Sequence, residues 1–539
     1  MTTLRVGPFL GANLALRPRL LPDGMGVMSL NHRSDQGDLR PWNVPLTVAA
    51  AGASTSTIHM LARDTTADSI VWLKWNTVVH AIRSYRSDDA TKRTYYTGSG
   101  APKVTDNIIG LDGSGSYPAS YRDLGVPKPM TAPTLTQTTA GTGDDEERFY
   151  AYTYLTDWDE EGMPQIAGPI TCKPGAVIAI GNLSLPPSGA GENRGINRIR
   201  IYRTVTGNDT SEFYFLRDIT PATSTEDDGR ATGTDVMPSA KYAVPPADLK
   251  CLTALWNGMA AGISGKAVRY CEINRLHAWP AAYETLCQDT PVALSAWAGN
   301  LLVTTTGRPR LVTGSVPEAM SDVPVEFVAA NVSQRSAVAF GHGAVWASKD
   351  GLAYYGDAGP RFLTAKLLTL EQWRALNPES IVGAQWKGLY LGFYLDGATY
   401  KGFWIDPLAP ENGIYFLSEG YRAVFYDELG EELYVLGADN NIKRWNGGAA
   451  KMTVSHKTKV YRLTAPADLA LGQVIGDTYP VTLTVHRDGL SPYSITVVDG
   501  EPFWLHPGTL STQYQFEFST TGDALAAVFS DDMDEFART

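Results

Sequence analysis

The sequence predicts an all-β protein: a β-propeller with an inserted β-sandwich domain and a C-terminal β extension. The composition favours strands, because 26 Tyr, 16 Phe and 13 Trp suit pleated, half-buried surfaces. Turn formers are also abundant, with 52 Gly and 33 Pro. The third observation is a repeat spaced by about 40 to 46 residues, the length of one four-stranded propeller blade.

Five stretches carry this repeat, and each combines an aromatic or apolar residue, a turn that contains Gly, and a strand. They are residues 255–262, 297–303, 340–347, 386–392 and 426–435. Hairpins between residues 57 and 82 are the candidate for a sixth unit. Closing a ring of such units removes exposed sheet edges, so we expect one closed propeller.

Changes in pattern along the chain predict four regions. Residues 1–128 are predicted to form an N-terminal arm and the first propeller hairpins. The arm is predicted from scattered apolar residues in an otherwise loop-like stretch, and we expect it to lie over other elements. Prolines bound a separate β-sandwich insert in 129–246, and propeller blades fill 247–450. The last region, 451–539, keeps a strand pattern but loses the repeat, and it is predicted to be a C-terminal β domain or platform.

The insert and the last region are predicted from alternation of period two. Within the insert, residues 148–155 and 197–203 alternate aromatic or apolar with polar residues, and 212–217 supply another strand. Several strands separated by turn clusters over about 110 residues describe a β-sandwich. The clearest strands of the last region are residues 480–486 and 514–518.

The charge and the cysteines restrict the classes of function. A net charge of −12 and a pI near 5.2 argue against a surface that grips nucleic acid through clustered Lys and Arg. An acidic wall still suits a channel through which DNA slides, and the simpler alternative is that this charge serves solubility.

No pair of cysteines has CxxC spacing, so we expect reduced, mostly buried thiols. The four cysteines are Cys172, Cys251, Cys271 and Cys287.

The sequence carries neither a hydrophobic signal stretch at its start nor an apolar run of about 20 residues that could span a bilayer. We therefore expect assembly in a cytoplasm, without secretion.

His277 invites a metal or catalytic interpretation, because Trp279 and Cys271 lie near it in the sequence. No second His or carboxylate stands at ligand spacing, so a packed structural His is the favoured interpretation. The turn at Ser348-Lys349-Asp350-Gly351 is similar to part of the Asp-box turn of sialidases, but it does not recur between the units. It is predicted to be an ordinary Asp-Gly hairpin turn.

Acidic runs are the candidates for calcium ligands, and solvated loop ends are the competing and favoured interpretation. They comprise Asp144, Asp145, Glu146 and Glu147; Asp157, Asp159, Glu160 and Glu161; and Glu226, Asp227 and Asp228. The Gly-rich segment 110–116 lacks the Lys and the helix of a phosphate-binding loop and is predicted to be mobile. If the ring interpretation holds, such a loop can narrow a channel. No residue is nominated as catalytic, cofactor-binding or metal-ligating, and no cofactor is expected.

The order of several motifs resembles the tail nozzle proteins, or tail tubular protein B family, of short-tailed bacteriophages. The motifs are Gly11-Ala12-Asn13, Arg17-Pro18-Arg19-Leu20-Leu21-Pro22, Gly37-Asp38-Leu39-Arg40-Pro41-Trp42, Arg93-Thr94-Tyr95-Tyr96-Thr97-Gly98, Asn257-Gly258-Met259, His277-Ala278-Trp279-Pro280, Ser348-Lys349-Asp350-Gly351-Leu352 and Lys457-Thr458-Lys459-Val460-Tyr461. Within the insert, further motifs resemble a fibronectin type III-like module. They are Tyr150-Ala151-Tyr152-Thr153-Tyr154, Asp159-Glu160-Glu161-Gly162 and Arg200-Ile201-Tyr202-Arg203.

The resemblance implies a structural protein of the virion tail, assembled in the host cytoplasm. In that family the protomers form a homo-hexameric ring below the tail adaptor, or head-to-tail connector. The ring holds the DNA exit closed, passes genomic DNA during ejection without reading its sequence, and docks fibres or spikes. The insert and the C-terminal region vary within the family, so the resemblance does not assign their roles.

Two other classes compete with this interpretation. A host-binding tail fibre or adhesin component also uses propellers and sandwiches, which bind glycans through aromatic surfaces. A glycan-cleaving enzyme of propeller fold requires a converging pair of carboxylates. The resemblance favours the nozzle and a protein that is not an enzyme.

Overall fold

The structure is a computed structural model that describes residues 2–34, 36–61, 70–112, 117–188, 192–205, 212–506 and 508–533. Strands dominate it, so the predicted all-β class is confirmed. The only α-helix among these residues is α1 (Leu370–Ala375), and none of their helices is long and apolar enough to cross a lipid bilayer. Short 3-10 turns lie at Pro18–Leu20, Ser239–Lys241, Pro317–Ala319, Gln334–Ser336, Pro378–Ser380 and Pro410–Asn412.

The chain divides into two compact units. The first comprises Met1–Met60, Thr304–Pro309 and Val325–Thr539, and the second comprises Leu61–Val303 and Arg310–Pro324.

The N-terminal region begins with strands β1 (Thr3–Val6), β2 (Gly26–Leu30), β3 (Leu46–Ala50) and β4 (Thr57–Leu61). It continues with β5 (Val71–Trp75), β6 (His80–Arg83), β7 (Thr94–Thr97), β8 (Lys103–Thr105) and β9 (Arg122–Asp123). The last four form a sheet in the order β6-β7-β8-β9. The candidate sixth unit of the repeat therefore lies further along the chain than residues 57–82, because the run at 78–82 leads into β6 and pairs onward with β7.

Seven strands between residues 134 and 227 form two sheets around one core. They are β10 (Thr134–Thr139), β11 (Glu146–Thr156), β12 (Gln165–Cys172), β13 (Val177–Gly181), β14 (Ile196–Thr204), β15 (Phe213–Ile219) and β16 (Thr225–Asp227). One sheet has the order β10-β13-β16 and the other β12-β11-β14-β15. The alternating residues Tyr150, Tyr152 and Tyr154 of β11 meet Ile178 and Ile180 of β13 in the shared core. The period-two pattern thus places one face of each strand inward.

The repeat region contains β17 (Lys250–Ala254), β18 (Ala260–Ser264), β19 (Ala267–Tyr270), β20 (Glu284–Leu286), β21 (Pro291–Trp297), β22 (Asn300–Thr305), β23 (Arg310–Thr313), β24 (Ser321–Pro324), β25 (Val338–Phe340), β26 (Gly343–Ala347), β27 (Leu352–Gly356), β28 (Arg361–Phe362), β29 (Val382–Trp386), β30 (Leu389–Asp396), β31 (Thr399–Ile405), β32 (Tyr415–Leu417), β33 (Ala423–Asp427), β34 (Glu432–Leu436) and β35 (Asn441–Arg444). The first sixteen form four sheets, or parts of sheets, of four consecutive strands each. The last sheet has the order β33-β34-β35-β3, so its fourth strand comes from the N-terminal arm.

Each of the five repeated stretches lies at the turn between the first two strands of one of these sheets. At Asn257-Gly258 and at Lys387-Gly388, both turn residues have positive φ, between 48° and 81°. Two consecutive left-handed residues define the turn whose twist matches a tight hairpin, which explains the recurrent Gly. Within each unit the first strands of consecutive sheets lie side by side: β6, β17 and β21 in one, β25, β29 and β33 in the other.

The C-terminal strands are β36 (Val454–Thr458), β37 (Tyr461–Ala467), β38 (Leu471–Ile475), β39 (Val481–Arg487), β40 (Tyr493–Val497), β41 (Phe503–Trp504), β42 (Ser511–Thr520) and β43 (Ala526–Ser530). One sheet has the order β1-β43-β38-β41, and the other continues from β32 through β2 into β36-β42-β39-β40, with β37 paired to β42. The two strands predicted most clearly are β39 and β42.

The N-terminal arm enters three separate cores of the first unit. It supplies Ala12, Leu21 and Met25 to one core, Val6, Phe9 and Leu39 to the second, and Trp42 to the third. It also supplies a strand to each of three sheets. The arm is therefore an integral part of the packing of this unit.

We expect Trp42→Ala to destabilise the first unit by about 3–5 kcal/mol, because a large core side chain leaves a cavity. Trp42 is 0% exposed and its ring centroid lies 5.1 Å from that of Trp386 and 5.3 Å from that of Trp445. Denaturant unfolding followed by tryptophan fluorescence measures the change. Trp504→Ala is the matched control, since Trp504 is 65% exposed, and equal losses in the two variants would contradict the role of the arm.

Candidate functional site

Two acid–base groups of the second unit with shifted pKa values, Glu160 and His277, meet Arg93 and Trp158 in one buried cluster. Arg93 stands immediately before β7, Trp158 and Glu160 lie in the turn after β11, and His277 lies in the loop after β19. The cluster therefore joins the two-sheet insert to the two four-stranded sheets that flank it in sequence.

The turn after β11 is closed by one side chain. Thr156 Oγ1 accepts hydrogen bonds from the backbone N–H groups of Trp158 and Glu160, at 3.2 and 3.1 Å. Asp159 adopts φ 59°, a left-handed conformation that Asp tolerates better than most residues. This tight geometry turns Glu160 inward while Asp159 remains at the surface, where it pairs with Arg198.

The Glu160 carboxylate has two side-chain neighbours, Arg93 and, slightly further away, His277. Its Oε1 lies 3.4 Å from Arg93 Nη1 and 3.8 Å from His277 Nδ1. The Arg93 guanidinium also lies 5.2 Å from the ring of Trp158, which Arg122 approaches at 4.0 Å. Cation–π contacts thus hold the two arginines about the turn.

Burial shifts the pKa values of Glu160 and His277 in opposite directions. Loss of hydration raises the pKa of Glu160 from 4.5 to about 7, against the lowering effect of Arg93. Burial lowers the pKa of His277 from 6.5 to about 3, and the charges of Arg275 and Arg93 add to this. Near neutrality the cluster therefore holds a carboxyl that binds a proton readily and an imidazole that stays neutral.

The space beside the cluster is small. The cavity lined by Arg93, Trp158, Glu160 and His277 is partly open and has a volume of about 20 Å³. One water molecule needs roughly 10–15 Å³ of such volume. The arrangement can store or release a proton and hold three segments together.

The other acidic candidates are largely paired, and the expectation of solvated loop ends is wrong for three of them. Glu160, Glu161 and Asp227 are 8%, 5% and 0% exposed. Glu161 Oε1 accepts hydrogen bonds from the hydroxyls of Thr153, Tyr202 and Ser239, each at 2.8 Å. Hydroxyl donors replace the lost hydration, which is why this carboxylate can lie inside.

Asp227 is enclosed by cations and a phenol from the facing sheet. Its Oδ2 accepts from Tyr150 at 2.7 Å and from Arg203 at 2.6 Å, and Arg148 lies 3.7 Å away. Among the acids nearer the surface, Glu146 pairs with Arg148. Asp228 pairs with Arg217 and Arg230. These carboxylates face arginines, whereas a calcium site gathers oxygen ligands.

The remaining candidates are placed as follows. Cys271 is buried, and its Sγ accepts a hydrogen bond from Ala260 N at 3.0 Å. Trp279 Nε1 donates to Leu276 O. Ser348 to Gly351 form the hairpin turn between β26 and β27. The segment 110–116 is described only to residue 112, and 113–116 lie outside the described residues.

Over the described ranges, no group of three or more His, Cys, Asp or Glu is arranged to hold a metal ion. Arg93 and Trp158 belong to the cluster but are not among the candidate residues that the sequence indicates. Trp158 offers a signal, because an aromatic residue between Asp157 and Asp159 indicates that the acidic run is partly buried.

No protein-family profile and no curated protein matches this chain. Among solved structures, it is similar to a chain of the crystal structure of BBS1N in complex with ARL6DN, with 10% identity, a TM-score of 0.20, and coverage of 78% of this chain and 97% of the other. It is also similar to exo-beta-1,3-galactanase from Phanerochaete chrysosporium with galactose, with 9% identity, a TM-score of 0.17, and coverage of 73% and 100%. At these TM-scores the likenesses carry no argument about fold or function.

We expect the cluster to exchange a proton on folding. Between about pH 4.5 and 6.5 the unfolded chain protonates His277 and not Glu160, whereas the folded chain protonates Glu160 and not His277. The contributions of Glu160 and His277 to the pH dependence of the free energy of unfolding then cancel in the parent protein. In His277→Gln, stability relative to the parent should fall as pH rises through this window, and in Glu160→Gln it should rise, by up to about 1.4 kcal/mol per pH unit.

Thermal unfolding of the full chain at several pH values across this window measures both slopes. The double variant is the control, since it should restore a difference from the parent that does not change with pH. Single variants that follow the parent at every pH would show that the two groups do not titrate as a pair.

We expect Asp227→Asn to destabilise the insert by about 3–5 kcal/mol, because it leaves buried Arg203 without its carboxylate. Asp228→Asn is the matched control on the next residue, and it should cost little, since an exposed ion pair contributes little. Thermal unfolding of both variants measures the difference. Comparable losses would contradict the distinction between buried and exposed acid.

Proposed function

We propose that six groups of four strands are the blades of one β-propeller. These groups are β6–β9, β17–β20, β21–β24, β25–β28, β29–β32, and β33–β35 with β3. The observation that carries this is the last sheet, in which β3, from the N-terminal arm, pairs with β35. A strand that precedes the first sheet thus completes the last one, which is how a ring of sheets protects its ends from exposed edges. The side-by-side first strands support the same arrangement, because such strands line the axis of a propeller.

We propose that this propeller chain is a structural protein of a bacteriophage tail, a protomer of the homo-hexameric nozzle ring. The motifs that resemble tail nozzle proteins support the assignment, and they recur in the family order. The ring closes the DNA exit and then passes the genome. It sits below the tail adaptor, it docks fibres or spikes, and it acts in the virion after assembly in the host cytoplasm.

A mechanical role also agrees with how the chain uses its buried charges. Glu160, Glu161 and Asp227 each bind arginines or hydroxyls from neighbouring segments. The contact of Glu160 with Arg93 joins the insert to a neighbouring sheet, the contacts of Asp227 join the two sheets of the insert, and all three carboxylates are engaged. The net charge of −12 suits a lumen along which phosphate slides without binding. We therefore propose a protein that works by assembly and not by catalysis.

Quantitative mass spectrometry of purified virions, referenced to the portal protein, tests the proposal. A hexamer beneath a twelve-subunit portal requires about half the portal's copy number. A multiple of three well above that ratio would favour a fibre or adhesin. Absence of the chain from the particles would end the structural proposal.

A further inference from the structure

A short exposed loop of the N-terminal arm combines leucine with arginine. It consists of Leu16, Arg17, Pro18, Arg19 and Leu20, here called the leucine–arginine loop. Leu16 is 41% and Leu20 67% exposed, and both arginines are exposed. Among the described residues neither arginine has an acidic partner. Arginine is enriched in protein–protein interfaces, and the exposed leucines beside it make this loop a candidate contact surface.

Hydrogen bonds hold the backbone of the leucine–arginine loop at both ends. Asn13 Oδ1 accepts hydrogen bonds from Ala15 N and Leu16 N, at 3.1 and 3.3 Å. At the other end, Val460 N donates to Pro18 O at 3.0 Å. The exposed side chains are therefore presented on a fixed backbone, which lowers the entropy cost of binding.

The positive charge of the loop is not neutralised by the acid that follows it in the sequence. Asp23 pairs with Lys459 at 2.6 Å. Lys366, which is exposed, precedes Leu367, whose carbonyl accepts the N–H groups of Leu14 and Ala15. In a chain with a net charge of −12, this is a local surplus of positive charge.

The hairpin turn between β33 and β34 offers the complementary chemistry. It consists of Glu428, Leu429, Gly430 and Glu431, here called the leucine–glutamate turn. Leu429 is 83% exposed, and both glutamates are exposed. Neither glutamate has a cationic partner among the residues the structure describes, whereas Glu432, the next residue, pairs with Arg444.

We propose that the leucine–arginine loop of one copy of this chain binds the leucine–glutamate turn of a second copy. The contact joins different surfaces of the two copies, and where it repeats from copy to copy it is head-to-tail and builds a ring or a filament. Arg17 and Arg19 match Glu428 and Glu431 in number and are opposite to them in charge. This inference deepens the proposed nozzle function, because it names the surface between protomers.

A protein surface suits this loop better than DNA. Phosphate contacts use the arginines but leave Leu16 and Leu20 in water, and the net charge of the chain repels a nucleic acid. A leucine-tipped acidic turn uses both the apolar and the charged groups. Arginine also presents a planar fork of donors that fits a carboxylate.

Disulfide crosslinking tests the contact directly. In a full-length variant with Leu20→Cys and Leu429→Cys, oxidation should produce a ladder of multimers that ends at the closed ring. All four native cysteines are buried, so the background should be low. Leu510→Cys with Leu429→Cys is the matched control, since Leu510 is 68% exposed and outside both surfaces. It should give at least tenfold less crosslinked product.

Charge exchange provides the second measurement. Arg17→Glu with Arg19→Glu should abolish multimers, and adding Glu428→Arg with Glu431→Arg should restore them. Lys128→Glu with Lys173→Glu is the matched charge control, because both lysines are exposed. It should leave the multimers intact.

Both measurements are made on the concentrated chain and on virions that carry the variants. The chain's presence in virions tests the nozzle function separately. Multimers in either setting, with rescue by charge exchange, support the contact. No ladder in either setting, or arginine variants that lose only DNA retention, would overturn it.

Discussion

The first unit depends on a node of hydrogen bonds at Asn31 and His32, where the N-terminal arm turns between sheets. The carbonyl of His32 accepts the indole N–H groups of Trp42 at 3.2 Å and Trp404 at 2.8 Å. The side chain of Asn31 donates to Thr453 O and accepts from Ser418 N. One short segment thus satisfies buried polar groups from the arm, from β31 and from the C-terminal region. Each donor left unpaired there would cost about 1–3 kcal/mol, so the node fixes the register of all three parts.

The His32 ring extends this node. Its Nε2 contacts the carbonyl of Asp38 at 2.8 Å, and because a carbonyl only accepts, Nε2 carries the proton. Nδ1 is then free to accept from the hydroxyl of Ser29 at 2.9 Å. Both ring nitrogens are used, and the ring ties β2 to the segment that leads toward Trp42. The second unit uses charges instead. Arg93 with Glu160 joins the insert to a neighbouring sheet, and Arg203 with Asp227 joins the two sheets of the insert.

Local patterns in the sequence predict most of the strands, and long-range pairing accounts for what they miss. The turn Lys387-Gly388 predicts a hairpin because two left-handed residues have a local signature. The burial of Asp227 has no such signature, since it depends on Tyr150 and Arg203, which are distant in sequence. The acidic runs were assigned to solvent for this reason. The pairing of β3 with β35 is not predictable from local sequence either, because the residues of an edge strand do not specify which sheet the strand joins.

The arm also sets the order in which the first unit can form. Leu46 pairs with Arg444 and Thr3 with Ser530, so these strands close loops that span most of the described chain. Closing such loops costs entropy before any contact is gained, and folds dominated by distant pairs form slowly. The sheets built from consecutive strands can form first, since each hairpin is local. The strands of the arm then pair with the edge strands of these sheets, as β3 does with β35 and β1 with β43. These pairings require that the partner sheets have already formed. The proposed association through the arm is thereby coupled to completion of the fold, because Val460 bonds to Pro18 of the leucine–arginine loop and Leu367 bonds to Leu14 and Ala15, which precede it.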